Sequence, residues 1–203
     1  MRRFRICAPL VTLLLLAPSH GLPALAQDGA SETVSLDSPA VSPAPKGVDE
    51  LITELKRERD PEAANRITED LMETWNDSDS ATVDLLMQWA LTAASEKRNA
   101  AALDFLDQAI VLKPDFVGAW NQRATLHYTM GNYKKAVSDI NRVLALEPRH
   151  FGALAGLAAI LSERGSEEMA LKAWERYLEI YPADRQAQEI VIKLSEQLAG
   201  SRT

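Results

Sequence analysis

Apolar residues along the chain recur at the three- and four-residue spacing of helical faces, and turn residues fall between the runs. Val48, Leu51, Ile52 and Leu55 form one such face. Asp60 and Pro61 then supply a capping side chain and a first-turn proline for a second helix, with Ala64, Ile67, Leu71, Met72 and Trp75 on one side. The polar stretch from Asn76 to Ser80 predicts a turn that ends in a helix-capping Asp or Ser. From Val83 onward a longer period appears. Ala90, Ala124 and Ala158 stand 34 residues apart, as do Ala102, Ala136 and Ala170, and again Pro114, Pro148 and Pro182. Three landmarks in one register divide the chain into units 83–116, 117–150 and 151–184, each a helix, a turn and a returning helix. Ala187, Ile190, Val191, Leu194 and Leu198 predict a further helix over 184–199.

The small residues explain the pairing. Ala124 and Ala136 let two antiparallel helices approach closely, while Trp120 and Ile140 fill the space between them. Pro148 lacks an N–H and cannot continue the second helix. One such unit cannot bury its own apolar stripe, so copies must stack. With Trp120, Arg123-Ala124, His127, Gly131, Tyr133, Ala136, Ile140 and Pro148 in place, the unit 117–150 resembles a tetratricopeptide repeat (TPR). The last unit fits with Leu154, Leu157-Ala158, Gly165, Ala170, Trp174 and Pro182. Departures are Leu86 where the family has Trp, Arg123 and His127 where it has Leu and Tyr, and Lys97 in place of the glycine between helices. The resemblance implies an all-α TPR α-solenoid of stacked antiparallel helix pairs, closed by a C-terminal capping helix. Residues 48–82 are expected to be a degenerate first repeat or an N-terminal cap on the stack.

The beginning of the chain changes the picture of where this array works. Arg2, Arg3 and Arg5 precede an apolar run from Ile6 to Ala17, followed by Ala24-Leu25-Ala26, the pattern of a signal peptide cleaved before Gln27. The run is too short for a permanent span, so no membrane anchor is expected after cleavage. Residues 27–47 are rich in Ser, Pro and Ala and predict a disordered leader. Cleavage removes Cys7, the sole cysteine, together with three arginines, and takes the formal charge from −7 to −10. An acidic chain with no basic cluster among aromatics argues against nucleic acid as a partner. Glu147 to Leu154 and Trp120 to Thr125 look like exported bacterial TPR proteins associated with cell-envelope integrity, which implies a periplasmic location.

Candidate chemistry is sparse. His127 and His150 have no nearby cysteine or carboxylate spacing for zinc. The alternating aspartates at 77 and 79 fail as a calcium loop because Thr82 and Gln88 stand where the glycine and bidentate glutamate belong. No nucleophile elbow or phosphate loop occurs, so neither catalysis nor a cofactor or metal is expected. Arg123 and His127 are expected to pack their stems between repeats while their polar ends find a carboxylate such as Asp139 or Glu147. A buried His127 would also make a pH-responsive joint.

In TPR proteins the first helices of successive repeats line a concave surface that takes up an extended peptide or a helix. Carried onto this sequence, that surface comprises Asp84, Met87, Gln88, Leu91, Ala94 and Ser95, then Gly118, Asn121, Gln122, Thr125, Tyr128 and Thr129, then Gly152, Ala155, Gly156, Ala159, Ser162 and Glu163. Cochaperone TPRs grip a terminal carboxylate with Lys, Asn and Arg, and Asp84, Gly118 and Gly152 stand where lysine would help. Amides and a phenol beside a small-residue floor suit backbone hydrogen bonding instead. The expected function is a non-catalytic periplasmic scaffold for a protein or peptide partner that supports the cell envelope. The alternatives are a chaperone or adaptor for a secretion or cell-division complex, and a self-associating structural protein.

Overall fold

The structure is a computed structural model that describes residues 46–200. The segment expected to be a signal peptide, and nearly all of the expected leader, lie outside the described residues. The described chain is all-α: α1 (Val48–Arg57), α2 (Pro61–Asn76), α3 (Ala81–Ser95), α4 (Asn99–Leu112), α5 (Val117–Thr129), α6 (Tyr133–Leu146), α7 (Phe151–Glu163), α8 (Glu167–Leu178) and α9 (Arg185–Gly200). Helices α3 and α4, α5 and α6, and α7 and α8 pack as pairs, and α4 on α5 and α6 on α7 join one pair to the next. The second helices begin at Asn99, Tyr133 and Glu167, 34 residues apart. All six alanine landmarks, Ala90, Ala102, Ala124, Ala136, Ala158 and Ala170, are buried where the paired helices meet. Trp120 is half-buried at the edge of two core clusters and donates its indole N–H to the Pro114 carbonyl at 3.0 Å. Trp174 meets Tyr177 edge-on.

Each pair turns through the same device. The Gly131 N–H reaches the Tyr128 carbonyl and the Asn132 N–H reaches that of His127, while Gly131 takes φ +71°. These two bonds satisfy carbonyls that the end of α5 leaves open. Gly165 and Ser166 repeat the arrangement, and so do Lys97 and Arg98. Lys97 therefore carries a side chain at φ 60°, in the left-handed region that a Cβ disfavours. Replacing Lys97 with glycine should raise the unfolding free energy by roughly 1 kcal/mol. Urea denaturation would show this as a higher midpoint at unchanged slope.

The two outer elements differ from the repeats. Asp60 accepts from the Ala63 N–H at 2.8 Å and caps α2, whose first residue is Pro61. The α1–α2 hairpin turns its apolar side, Leu51, Ile52, Leu55, Ala64, Ile67, Leu71 and Trp75, toward Phe151 and Leu154 of α7 and toward Tyr177, Ile180, Tyr181, Ala183 and Ala187. It thus packs beside the later repeats, across the segments that lead into α7 and α9, and not as a lid over the α3–α4 pair. Arg149 to Asp49 at 2.7 Å and Tyr181 to Asn65 at 2.6 Å tie it down. Helix α9 packs on α8 and buries Ala187 and Leu194.

Candidate functional site

A cleft of about 530 Å³ opens between α3 and α5. Its floor is apolar, from Ala90, Leu91, Ala94, Leu106 and Leu126. Its rim carries Gln122, Thr125, Thr129, Asn99 and Lys97, and Lys97 is the one charged residue among those lining it. The helical spacing of Leu91 and Ala94 on α3, and of Gln122, Thr125, Leu126 and Thr129 on α5, puts each set on one face. The walls come from two consecutive repeats, so the stacking of units creates the cleft.

Of the residues expected on the partner-binding wall, Leu91, Ala94, Gln122, Thr125 and Thr129 line this cleft. Leu91 is 56% exposed and adds apolar area at the mouth of the cleft. Gln88 is also exposed on α3, and Asn121 is half-buried on α5. Met87 is 5% exposed and belongs to the core of the first pair, which removes it from any contact surface. Tyr128 points to the next repeat, where its hydroxyl donates to Glu163, while its ring lies 5.9 Å from that of Tyr133 in its own unit. That bond holds the Glu163 carboxyl below its ordinary range. Asp84 is taken up before α3, accepting from the Ser78 N–H at 3.3 Å and from its hydroxyl.

The α1–α2 hairpin claims another part of the expected wall. At Gly118 an added Cβ would lie 2.7 Å from the Phe116 ring and 2.8 Å from the Trp75 carbonyl oxygen, so α2 ends against a position open only to glycine. Ala155 is half-buried against the same hairpin cluster, and Gly152 meets His150. Ala159 is half-buried on α7. The small residues at 118 and 155 are therefore a seat for the chain's own N-terminal helices. Sequence periodicity could not reveal this, because the seat pairs residues far apart in the chain, such as Trp75 with Gly118; the aromatic content of Trp75, His150 and Phe151 was the available signal.

Arg123 spans the joint between the first and second units. Arg123 grips Asp139 with two bonds of 2.7 and 2.9 Å and Asp107 of the preceding pair at 2.6 Å, and its guanidinium lies 4.8 Å from the Trp120 ring. This is the carboxylate partner expected for it. His127 is buried with its Nδ1 unpartnered, and burial lowers its pKa from the ordinary value. Among the described residues no group of His, Cys, Asp and Glu could hold a metal, and no helix is long and apolar enough to cross a membrane.

The tetratricopeptide-repeat family matches residues 117–150, the unit with most of the landmarks. A TPR repeat-containing protein of Rhizobium etli is 53% identical over 204 residues, covering 100% of this chain and 98% of the relative. The chain belongs to the tetratricopeptide-repeat family. A more distant TPR relative, the small glutamine-rich tetratricopeptide repeat-containing protein 2 of Mycosarcoma maydis, is 25% identical over 126 residues, covering 62% of this chain and 36% of its own length. Among solved structures, the first TPR of Spaghetti (RPAP3) bound to an HSP90 peptide superposes with a TM-score of 0.55 at 24% identity, over 61% of this chain and 96% of that one. The Sgt2 TPR domain from Aspergillus fumigatus gives 0.54 at 18% identity, over 61% and 83%. At such identities these TPR structures establish the solenoid fold alone.

Proposed function

We propose that this TPR protein is an exported, non-catalytic adaptor that holds an extended segment of another protein and so supports assembly or integrity of the bacterial cell envelope. The observation that carries the reading is the cleft between α3 and α5: an apolar floor of about 530 Å³ under amide and hydroxyl groups, with a single lysine. Gln122 offers both a donor and an acceptor to a peptide backbone, and Leu91 offers apolar area beside it. The RPAP3 TPR, which binds an HSP90 peptide, supports peptide capture as the use of such a cleft. Export rests on Arg2, Arg3, Arg5, the apolar run that follows and the Ala24-Leu25-Ala26 site.

A photo-crosslinking residue at Thr125, exposed in the same cleft, should trap a partner in living cells, and mass spectrometry would name it. Leu91→Glu combined with Gln122→Ala should reduce that capture at least tenfold, the loss of about 1.4 kcal/mol or more, while thermal unfolding stays unchanged. Equal capture by the double variant would remove the cleft from the proposal. Export has its own readout: the protein recovered from the cell envelope should begin at Gln27.

A further inference from the structure

The repeat register exposes a face that no unit of this chain covers. Arg123 of α5 reaches back to Asp107 of α4 at 2.6 Å, so its helical position looks toward the preceding unit. Thirty-four residues earlier that position holds Trp89, and the position of Asp139 holds Phe105, with the two rings 5.6 Å apart. One turn before, Ala119 and Ala153 are 0% and 1% exposed within the second and third units. Their equivalent in the first unit is Leu85, 42% exposed, beside Trp89 at 46%. Leu112, seven residues beyond Phe105 on α4, is 58% exposed and extends the same stripe. The α1–α2 hairpin, turned toward α7 to α9, leaves this face open.

We infer that the open face of α3 and α4 is covered by the same face of a second copy, in a dimer with two-fold symmetry. The face continues the register of an established interface, the one that α4–α5 and α6–α7 form inside the array. Its large exposed side chains, Leu85, Trp89 and Leu112, are apolar and Gln88 is uncharged, with exposed Asp84 and Asp104 next to them along the chain, so two copies meet there over an uncharged centre although each carries a formal charge of −7. The far end of the array is closed by α9, where Arg185, Glu189, Lys193 and Glu196 outnumber the one large exposed apolar residue, Ile192. A head-to-tail stack would press an apolar face on a charged one, whereas pairing of like faces buries both tryptophans and closes the assembly.

Light scattering on the full chain should return twice the chain mass, and Leu85→Gln with Trp89→Gln should return the single mass. Both side chains sit at the surface, so circular dichroism of the variant should keep its helical signal. A cysteine placed by Gln88→Cys, near the symmetry axis, should join two copies through a short bifunctional thiol reagent, with the unaltered protein and its Cys7 as background. Gln188→Cys on α9 should not. A single-chain mass for the unaltered protein, a dimer that survives the double substitution, or equal crosslinking at position 188 would each overturn the assignment. So would a Gln88→Cys adduct to residues 1–45 of the same chain or to a different protein.

Discussion

Arg123→Leu should lower the unfolding free energy by about 3 kcal/mol, whereas Arg123→Leu combined with Asp139→Ala should lower it by only about 1 kcal/mol. The single substitution leaves the Asp139 carboxylate, whose side chain is 6% exposed, without the guanidinium that held both its oxygens. An ion pair of this depth gains little over an apolar pair but costs much when half of it is removed. The chain itself supplies the apolar version. At the equivalent positions of the third unit stand Leu157 and Ala173, half-buried and buried, and that unit packs as well as the second. Asp139→Ala alone should fall between the two, about 2 kcal/mol, because Arg123 keeps Asp107 and some contact with water. Urea unfolding of the three variants completes a double-mutant cycle. Additive losses would mean that Arg123 and Asp139 act independently and that the unit joint is held by packing alone.

The repeat array was legible because one physical requirement, close approach of paired helices, writes the same small residue every 34 positions. Ala90, Ala102 and their equivalents are buried, and the turn glycines at 131 and 165 take the positive φ that their place between helices demands. Lys97 obeys the same backbone geometry without being glycine, which shows that the register, not the local residue, sets the turn. The position of the α1–α2 hairpin was not legible. Its amphipathic pattern states that one face is covered but not by what, and Trp75, His150 and Phe151 carry no periodic mark linking them. The structure therefore brings together only part of the wall expected to bind a partner. Leu91, Gln122 and Thr125 line the cleft, Met87 belongs to the core, and Gly118 and Ala155 serve the hairpin.

Between pH 6.5 and pH 4 the protein should lose roughly 3 kcal/mol of stability through His150 alone. Its ring is 1% exposed, stacks on Trp75 at 4.2 Å and caps α7 by accepting the Ala153 N–H at Nδ1, 3.1 Å away. Burial pushes its pKa down to about 4, against an ordinary 6.5, so the unfolded chain binds the extra proton first. Stability from this group is thus complete above pH 6.5 and disappears as pH falls toward 4. Protonation would also place a donor where the cap needs an acceptor, and a positive charge at the N-terminal end of α7. Glu147, three residues before it, is buried too; burial alone would raise its pKa, but hydrogen bonds from Arg149 outweigh that and hold it low. Its loss at acid pH therefore has the same sign. His150→Asn keeps a capping acceptor and removes the titration, so it should cost stability at pH 7 through the lost stacking while flattening the pH slope. His127→Phe, at the joint singled out by the sequence, should leave most of that slope in place. Because His150 lies under Trp75, acid should release the hairpin before the repeats, and amide exchange in α2 should quicken ahead of that in α6. An unchanged pH slope in His150→Asn would show that the buried imidazole does not govern how the hairpin is held.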